Sequence, residues 1–224
     1  KVGRYFLPAF GGVAFTNNEF RWSHRIRRED GLVRMVPGLG TRAVDRLSDD
    51  YPVLVAPGQP NLRVNVSLEE KKRYSPKKID VINLQTNSFE TREITELLKE
   101  CGDSYPLIEK LASIVRQEHL EQPGGLGIDF DKEHVIITCE GLFNSTPFID
   151  QIHSMLKTLQ RELGTPVDIE FAHDGSHLYL LQCRAQSYGL ASQPAQIPRD
   201  VAPERVLFSA NRFVTSGTVS NITH

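Results

Sequence analysis

A chain of 224 residues with 39% hydrophobic and 24% charged residues has the composition of a folded domain large enough to bury a core. Its formal charge of −2 excludes a general electrostatic pull towards nucleic acid or an anionic membrane, and no apolar run nears the roughly 18 residues of a membrane span. Cys101, Cys139 and Cys183 form neither a CxxC nor an even framework, so reduced thiols and a cytoplasmic setting are expected.

Leu7 to Thr16 reads as a short apolar strand broken at Gly11–Gly12, where a bulge is expected. Residues 21–46 then hold seven arginines, Arg21, Arg25, Arg27, Arg28, Arg34, Arg42 and Arg46, and no lysine. Arginine alone suits planar recognition of phosphate or carboxylate, or else a solvated face with local ion pairs. Glu29-Asp30-Gly31, between Ile26 and Val33, reads as a hairpin turn. Arg42 stands out because it follows Gly38-Leu39-Gly40. A helix opening there would aim backbone N–H groups and a guanidinium the same way, at a bound anion; a plain tight turn is the simpler alternative. Pro52, Pro57, Gly58 and Pro60 punctuate residues 48–62 around a short strand. Lys71, Lys72, Arg73, Lys77 and Lys78 form a second basic cluster, expected in a solvated connector.

Residues 79–94 read as a β-hairpin turning at Thr86–Asn87, followed by a short helix to Lys99 with Gly102 beyond it. Pro106 is expected in the first turn of a helix reaching about His119, with Leu107, Leu111, Ile114 and Val115 as its buried stripe. His119 and His134 have no second ligand at metal spacing on the same element and read as surface or capping residues. Gly124-Gly125-Leu126-Gly127 lacks the preceding strand and following helix of a dinucleotide or Walker loop. Residues 134–140 read as a strand. Ser145 or Thr146 caps, and Pro147 opens, a helix that Gly164 ends. Its apolar face is Phe148, Ile152, Met155, Leu156, Leu159 and Leu163.

The most informative segment follows. Val167, Ile169 and Phe171 alternate with Asp168 and Glu170, the period-two pattern of a half-buried strand. Asp174–Gly175 marks a turn. The return strand, from Leu178, is apolar until Gln182 and Arg184. A loop of two or four residues would put Glu170 and Gln182 on opposite faces. An odd loop, such as three residues with Gly175 left-handed, puts Asp168, Glu170, Gln182 and Arg184 on one face. Cross-strand neighbours then lie about 4.5–5.5 Å apart at Cβ, close enough to share a metal ion. Mg²⁺ favours one or two carboxylates with waters and phosphate oxygens, and arginine clamps phosphate bidentately. An edge hairpin with a surface ion pair is the plain alternative. Cys183, on the other face, reads as a buried filler.

Pro166-Val-Asp-Ile-Glu-Phe-Ala-x-Asp-Gly, then Leu178-Tyr-Leu-Leu-Gln-Cys-Arg, resembles the end of the nucleotide-binding domain of the phosphoenolpyruvate synthase and pyruvate phosphate dikinase family. Gly12-Val13-Ala14-Phe15-Thr16 resembles that family's G-V-x-F-T strand. Gly38-Leu39-Gly40 resembles its G-L-G-E loop, with Thr41 where the glutamate usually stands. The resemblance spans roughly residues 10–187.

It implies an α+β fold: the carboxy-terminal lobe of an ATP-grasp domain, mostly antiparallel sheet with packed helices, over residues 1–186. Nothing matches the family's earlier lobe, so that lobe is expected to be missing. Residues 187–224, with Pro194, Pro198 and Pro203, are expected to be an interdomain linker and the start of a swivelling phosphohistidine domain. The implied cofactors are ATP and Mg²⁺. Glu170 and Gln182 would bind the metal–nucleotide complex, with Asp168 as a further ligand candidate, Arg184 as the catalytic phosphate-binding residue and Arg42 as a further nucleotide contact. The complete enzyme would phosphorylate a histidine on the downstream domain of the same polypeptide and pass the phosphoryl group to pyruvate. A sister phosphotransferase with another acceptor, such as a glucan-water dikinase or a rifampin phosphotransferase, is one alternative. A degenerate module that only binds nucleotide or a partner protein is the other. Neither nucleic acid nor membrane is expected as a partner.

Overall fold

The computed structural model describes residues 1–44, 50–124, 127–186 and 202–205. Among them the strands are β1 (Tyr5–Phe6), β2 (Phe10–Phe15), β3 (Leu32–Pro37), β4 (Val53–Val55), β5 (Lys78–Asn83), β6 (Ser88–Glu93), β7 (Ala112–Arg116), β8 (His119–Glu121), β9 (His134–Ile137), β10 (Val167–His173) and β11 (Leu178–Ala185). The helices are α1 (Thr41–Val44), α2 (Leu68–Tyr74), α3 (Ile94–Cys101), α4 (Ile108–Leu111), α5 (Glu140–Ser145) and α6 (Phe148–Leu163). The result is a mixed α and β architecture with antiparallel sheets and packed helices, as the sequence leads one to expect.

The central sheet has the order β11-β10-β2-β3-β4, and two three-stranded sheets have the orders β1-β5-β6 and β8-β7-β9. Every ladder is antiparallel. Alternation fixes the faces of the central sheet. Val167, Ile169, Phe171, Phe10 and Ala14 are buried on one side, where α6 covers them with Phe148, Ile152 and Leu156. Phe148 meets Phe10 edge-on at 5.1 Å between ring centroids, a favoured aromatic geometry. Pro147 precedes α6, and Gly164 ends it at φ 64, the left-handed stop that glycine makes cheaply. The opposite face carries Asp168, Glu170, Val13 and Arg34.

Several sequence expectations are corrected. No helix runs from Pro106 to His119. Helix α4 is one turn, entered through left-handed Leu107 at φ 58, and Ala112–Arg116 is the middle strand of a sheet. The β-branched Ile114 and Val115 fit a pleated surface better than a helical stripe. The Lys71–Arg73 cluster is not in a connector but on α2, which a Ser67–Glu70 capping box starts. Strand β2 runs through Gly11–Gly12 without a bulge. A Cβ on Gly12 would lie 2.1 Å from the Arg34 carbonyl oxygen, so glycine is there for close backbone approach. Residues 28–30 form a 3-10 turn that Gly31 closes, not a hairpin turn, while Ile26 joins Trp22 and Leu32 in a second apolar cluster. Leu163, the last residue of its helix, is largely exposed. The expected linker and swivelling-domain segment, residues 187–224, lies outside the described residues apart from residues 202–205, as do Gly125 and Leu126 of the glycine-rich run.

Candidate functional site

The β10–β11 hairpin pairs Asp168 with Arg184 and Glu170 with Gln182. Residues directly opposite each other point to the same face, so all four side chains share one side of the sheet. The route differs from the expected odd loop. His173 pairs with Leu178, leaving the four residues Asp174, Gly175, Ser176 and His177 to turn, and the register then shifts between Glu170 and Phe171, where Leu181 is the extra residue. That bulge restores the parity that a four-residue loop alone would have broken. Asp174 organises the turn: its Oδ1 accepts the N–H groups of Ser176 and His177, each at 2.7 Å, and Tyr179 donates to its Oδ2 at 2.7 Å. The His177 N–H, the Tyr179 hydroxyl and the Ser176 N–H together hold the Asp174 carboxyl far below the usual carboxylate range.

Asp168 is buried, whereas Arg184 keeps 57% of its side chain in solvent. Arg184 donates from Nε to Asp168 Oδ1 at 2.6 Å, and its terminal nitrogens make no hydrogen bond among the described residues. Glu170 is half-buried and Gln182 exposed. Neither side chain enters a hydrogen bond among the described residues. The site therefore offers a carboxylate, an amide oxygen and a guanidinium fork, all facing outward.

A loop borders this group. After β3 the chain folds back over β2 through Gly38 at φ 77 and Gly40 at φ 85. Gly40 rests on Gly11 so closely that a Cβ on Gly40 would lie 3.0 Å from the Gly11 backbone. A cleft of ≈ 150 Å³ opens there, lined by Gly40, Thr41 and Val44 of the loop, Gly12, Glu170 and the bulge residue Leu181. Register also aligns Gln182, Glu170, Val13 and Arg34 in one row across the sheet. Arg34 is one of the seven arginines of residues 21–46, and its place in this row was not singled out from the sequence. The signal was its place between inward-facing Val33 and Met35.

Arg42 is set elsewhere. It does open a helix after Gly38-Leu39-Gly40, as residue two of α1. Its guanidinium, however, is buried against Asp50 at 3.5 Å and Asp80 at 3.7 Å, and it is not among the residues lining the cleft.

The donors suit a hard cation that brings its own phosphate oxygens. Mg²⁺ takes one or two protein carboxylates or amide oxygens and fills the remaining positions with water and phosphate; Glu170 and Gln182 match that demand. No group of three or more His, Cys, Asp or Glu side chains converges among the described residues, so an all-protein cage is not what this face provides. Among the described residues no helix is long and apolar enough to cross a membrane.

Comparison with protein-family models matches residues 2–204 to the AMP/ATP-binding domain of pyruvate phosphate dikinase. Comparison with curated proteins finds no match.

Proposed function

The chain belongs to the family of pyruvate phosphate dikinase AMP/ATP-binding domains, and from that membership we propose that the face of β10 and β11 is its nucleotide phosphate site, in an ATP-grasp lobe. Glu170 and Gln182 hold the Mg–ATP complex through their oxygens. Arg184 takes up phosphate charge through its terminal nitrogens. Asp168 fixes Arg184 from below and is a further candidate ligand for the metal. Bound Mg²⁺ supplies charge neutralisation on the phosphate oxygens and fixes their orientation. The residues of the chain do the rest by position and charge, which is most of what phosphoryl transfer requires. A phosphoryl group leaves ATP for a histidine on a downstream domain of the same polypeptide, reached through the linker expected after residue 186, and passes from there to pyruvate or a related acceptor.

The observation that supports this reading is the cross-strand pair Glu170–Gln182, adjacent to the pair Asp168–Arg184, over a cleft bordered by a glycine loop. The test is incubation of the natural polypeptide with radiolabelled ATP and Mg²⁺. Acid-labile, base-stable label should appear on histidine and be lost in Glu170→Gln. Label that persists at the wild-type level in Glu170→Gln overturns the assignment. One observation favours a second reading, nucleotide binding without transfer: Thr41, lining the cleft where a glutamate usually stands in this family, has no carboxylate, and its hydroxyl is turned to Asp80. On that reading Mg–ATP binds and no phosphohistidine forms.

A further inference from the structure

We infer that Asp80 is a positioning residue for the nucleotide cleft: it holds the glycine loop over Gly11, and Arg42 with Asp50 anchors it from behind. The inference rests on the nucleotide reading of the cleft given above.

The loop needs an external hold. It contains two left-handed glycines, which carry a large backbone entropy in any looser state. The described part of helix α1, which follows it, is one turn, Thr41–Val44, and a single turn gains little from its own hydrogen bonds. Asp80 on β5 supplies contacts from both backbone and side chain. Its carbonyl accepts the Leu39 N–H at 3.2 Å. Its Oδ2 accepts the Thr41 hydroxyl at 2.6 Å, and its Oδ1 accepts the Thr91 hydroxyl at 2.7 Å. Thr91 lies directly opposite Asp80 on β6. One buried carboxylate thereby ties the cleft loop to a hairpin of another sheet.

The carboxylate is itself fixed. The Arg42 guanidinium bridges Asp80 and Asp50, and all three side chains are at most 6% exposed. Asp50 accepts the backbone N–H groups of Lys77 and Lys78, each at 2.9 Å, at the entry to β5. Buried charges persist only where partners and hydrogen bonds satisfy them, and here both carboxylates have them. The opposite end of the loop has a neutral tie: Tyr105 accepts the Gly38 N–H at 2.9 Å and donates to the Ala9 carbonyl at 2.7 Å.

This arrangement bears on binding because the held residues line the cleft. Gly40, Thr41 and Val44 form its wall opposite Glu170. If the loop occupies that position only one time in ten once Asp80 releases it, nucleotide affinity falls about tenfold with no change in any direct contact.

The experiment compares Thr41→Val, Thr41→Ser and Asp80→Asn in the natural polypeptide. Hydrogen exchange of the amides of residues 40–44 and the dissociation constant for Mg–ATP are measured beside Tm. Thr41→Val should speed exchange in the loop and weaken Mg–ATP about tenfold, with the rest of the protein protected as in wild type. Thr41→Ser, which keeps the hydroxyl, should restore both. Asp80→Asn should exceed Thr41→Val in both readouts. Unchanged loop exchange in Thr41→Val and Asp80→Asn overturns the hold. Faster exchange with wild-type affinity overturns the positioning role and leaves the nucleotide site standing. A wild-type protein that binds no Mg–ATP overturns the reading of the cleft and the positioning role with it.

Discussion

Arg184 donates from Nε to Asp168 Oδ1 at 2.6 Å, across a pair of residues directly opposite each other on β10 and β11. The contact occupies one nitrogen of the guanidinium and turns its other edge outward. Asp168 is buried, so the fork is held from within the fold by an acceptor with little freedom of its own. Pre-organisation of this kind is what a transferring phosphoryl group rewards, since a donor already in place needs no reorganisation when charge develops.

Arg184→Ala should therefore remove function before it removes structure. Loss of one preorganised donor lowers turnover of the folded protein roughly a hundred- to a thousandfold, and Tm falls by a smaller measure because buried Asp168 loses its partner. Arg184→Lys should recover only part, because an ammonium cannot reproduce the bidentate fork. Histidine phosphorylation and thermal unfolding, measured on the same variants, separate the effects. An Arg184→Ala protein that unfolds early but whose folded fraction turns over normally would make the residue structural.

The apolar side of the hairpin gives the converse result. Ile169 is fully buried beneath α6, while Leu180 is 44% exposed on β11. Ile169→Ala should cost about 2–5 kcal/mol, and Leu180→Ala no more than about 0.5 kcal/mol, as for a surface change. Equilibrium denaturation of the two variants checks the difference. Equal losses would mean that β11 is covered on its outer edge in solution.

These contrasts also mark how far the sequence could be read. The hairpin, the shared face of Asp168, Glu170, Gln182 and Arg184, and helix α6 were legible because each is a local pattern: alternation in residues 167–171, and a 3.6-residue stripe between Pro147 and Gly164. Leu181 was not, because a bulge leaves no mark in a run of apolar residues; only pairing reveals it. Residues 107–119 failed for a related reason. Leu107, Leu111, Ile114 and Val115 fit a helical stripe, yet Ile114 and Val115 pair with β8 in a tight hairpin and with β9 on the other side, and β9 is distant in sequence. Arg42 looked like an anion contact from its place after a glycine turn. Its two carboxylate partners, Asp50 and Asp80, come from other elements, and nothing local announces them.

Stability should fall as the medium is acidified through the histidine range. His173 stacks on Phe10 at 4.9 Å between ring centroids, and its Nδ1 accepts the Gly175 N–H at 3.0 Å. Burial pushes its pKa below the ordinary 6.5, and burial does the same to His153 on α6. A depressed folded pKa means that the unfolded chain takes up protons first. The stabilising contribution is thus complete above about pH 6.5 and is lost progressively as pH falls towards and past the folded values. Asp174 stays ionised throughout this window. Tm followed from about pH 7.5 to 5 should drop less in His173→Gln than in wild type. An identical slope in that variant would assign the effect to other groups.

The close approach of Gly40 to Gly11 can be separated from the general cost of a left-handed residue. Gly164 at φ 64 and Gly40 at φ 85 both lie in the region that disfavours a Cβ, but a Cβ on Gly164 meets nothing within 4 Å, whereas one on Gly40 lies 3.0 Å from backbone atoms of Gly11 and Gly12. Gly164→Ala should cost only the conformational penalty, about 1–2 kcal/mol, or a few degrees in Tm at about 2–4 °C per kcal/mol for a chain of this size. Gly40→Ala should cost more, because strand β2 cannot yield without disturbing its ladders to β3 and β10. It should also weaken Mg–ATP binding by lifting the loop from Gly11 and reshaping the wall opposite Glu170, which Gly164→Ala leaves alone. Unfolding curves and nucleotide titration of the two variants provide the comparison. Matching losses of stability, with affinity untouched in Gly40→Ala, would show that the loop tolerates displacement and that its contact with Gly11 does not shape the cleft.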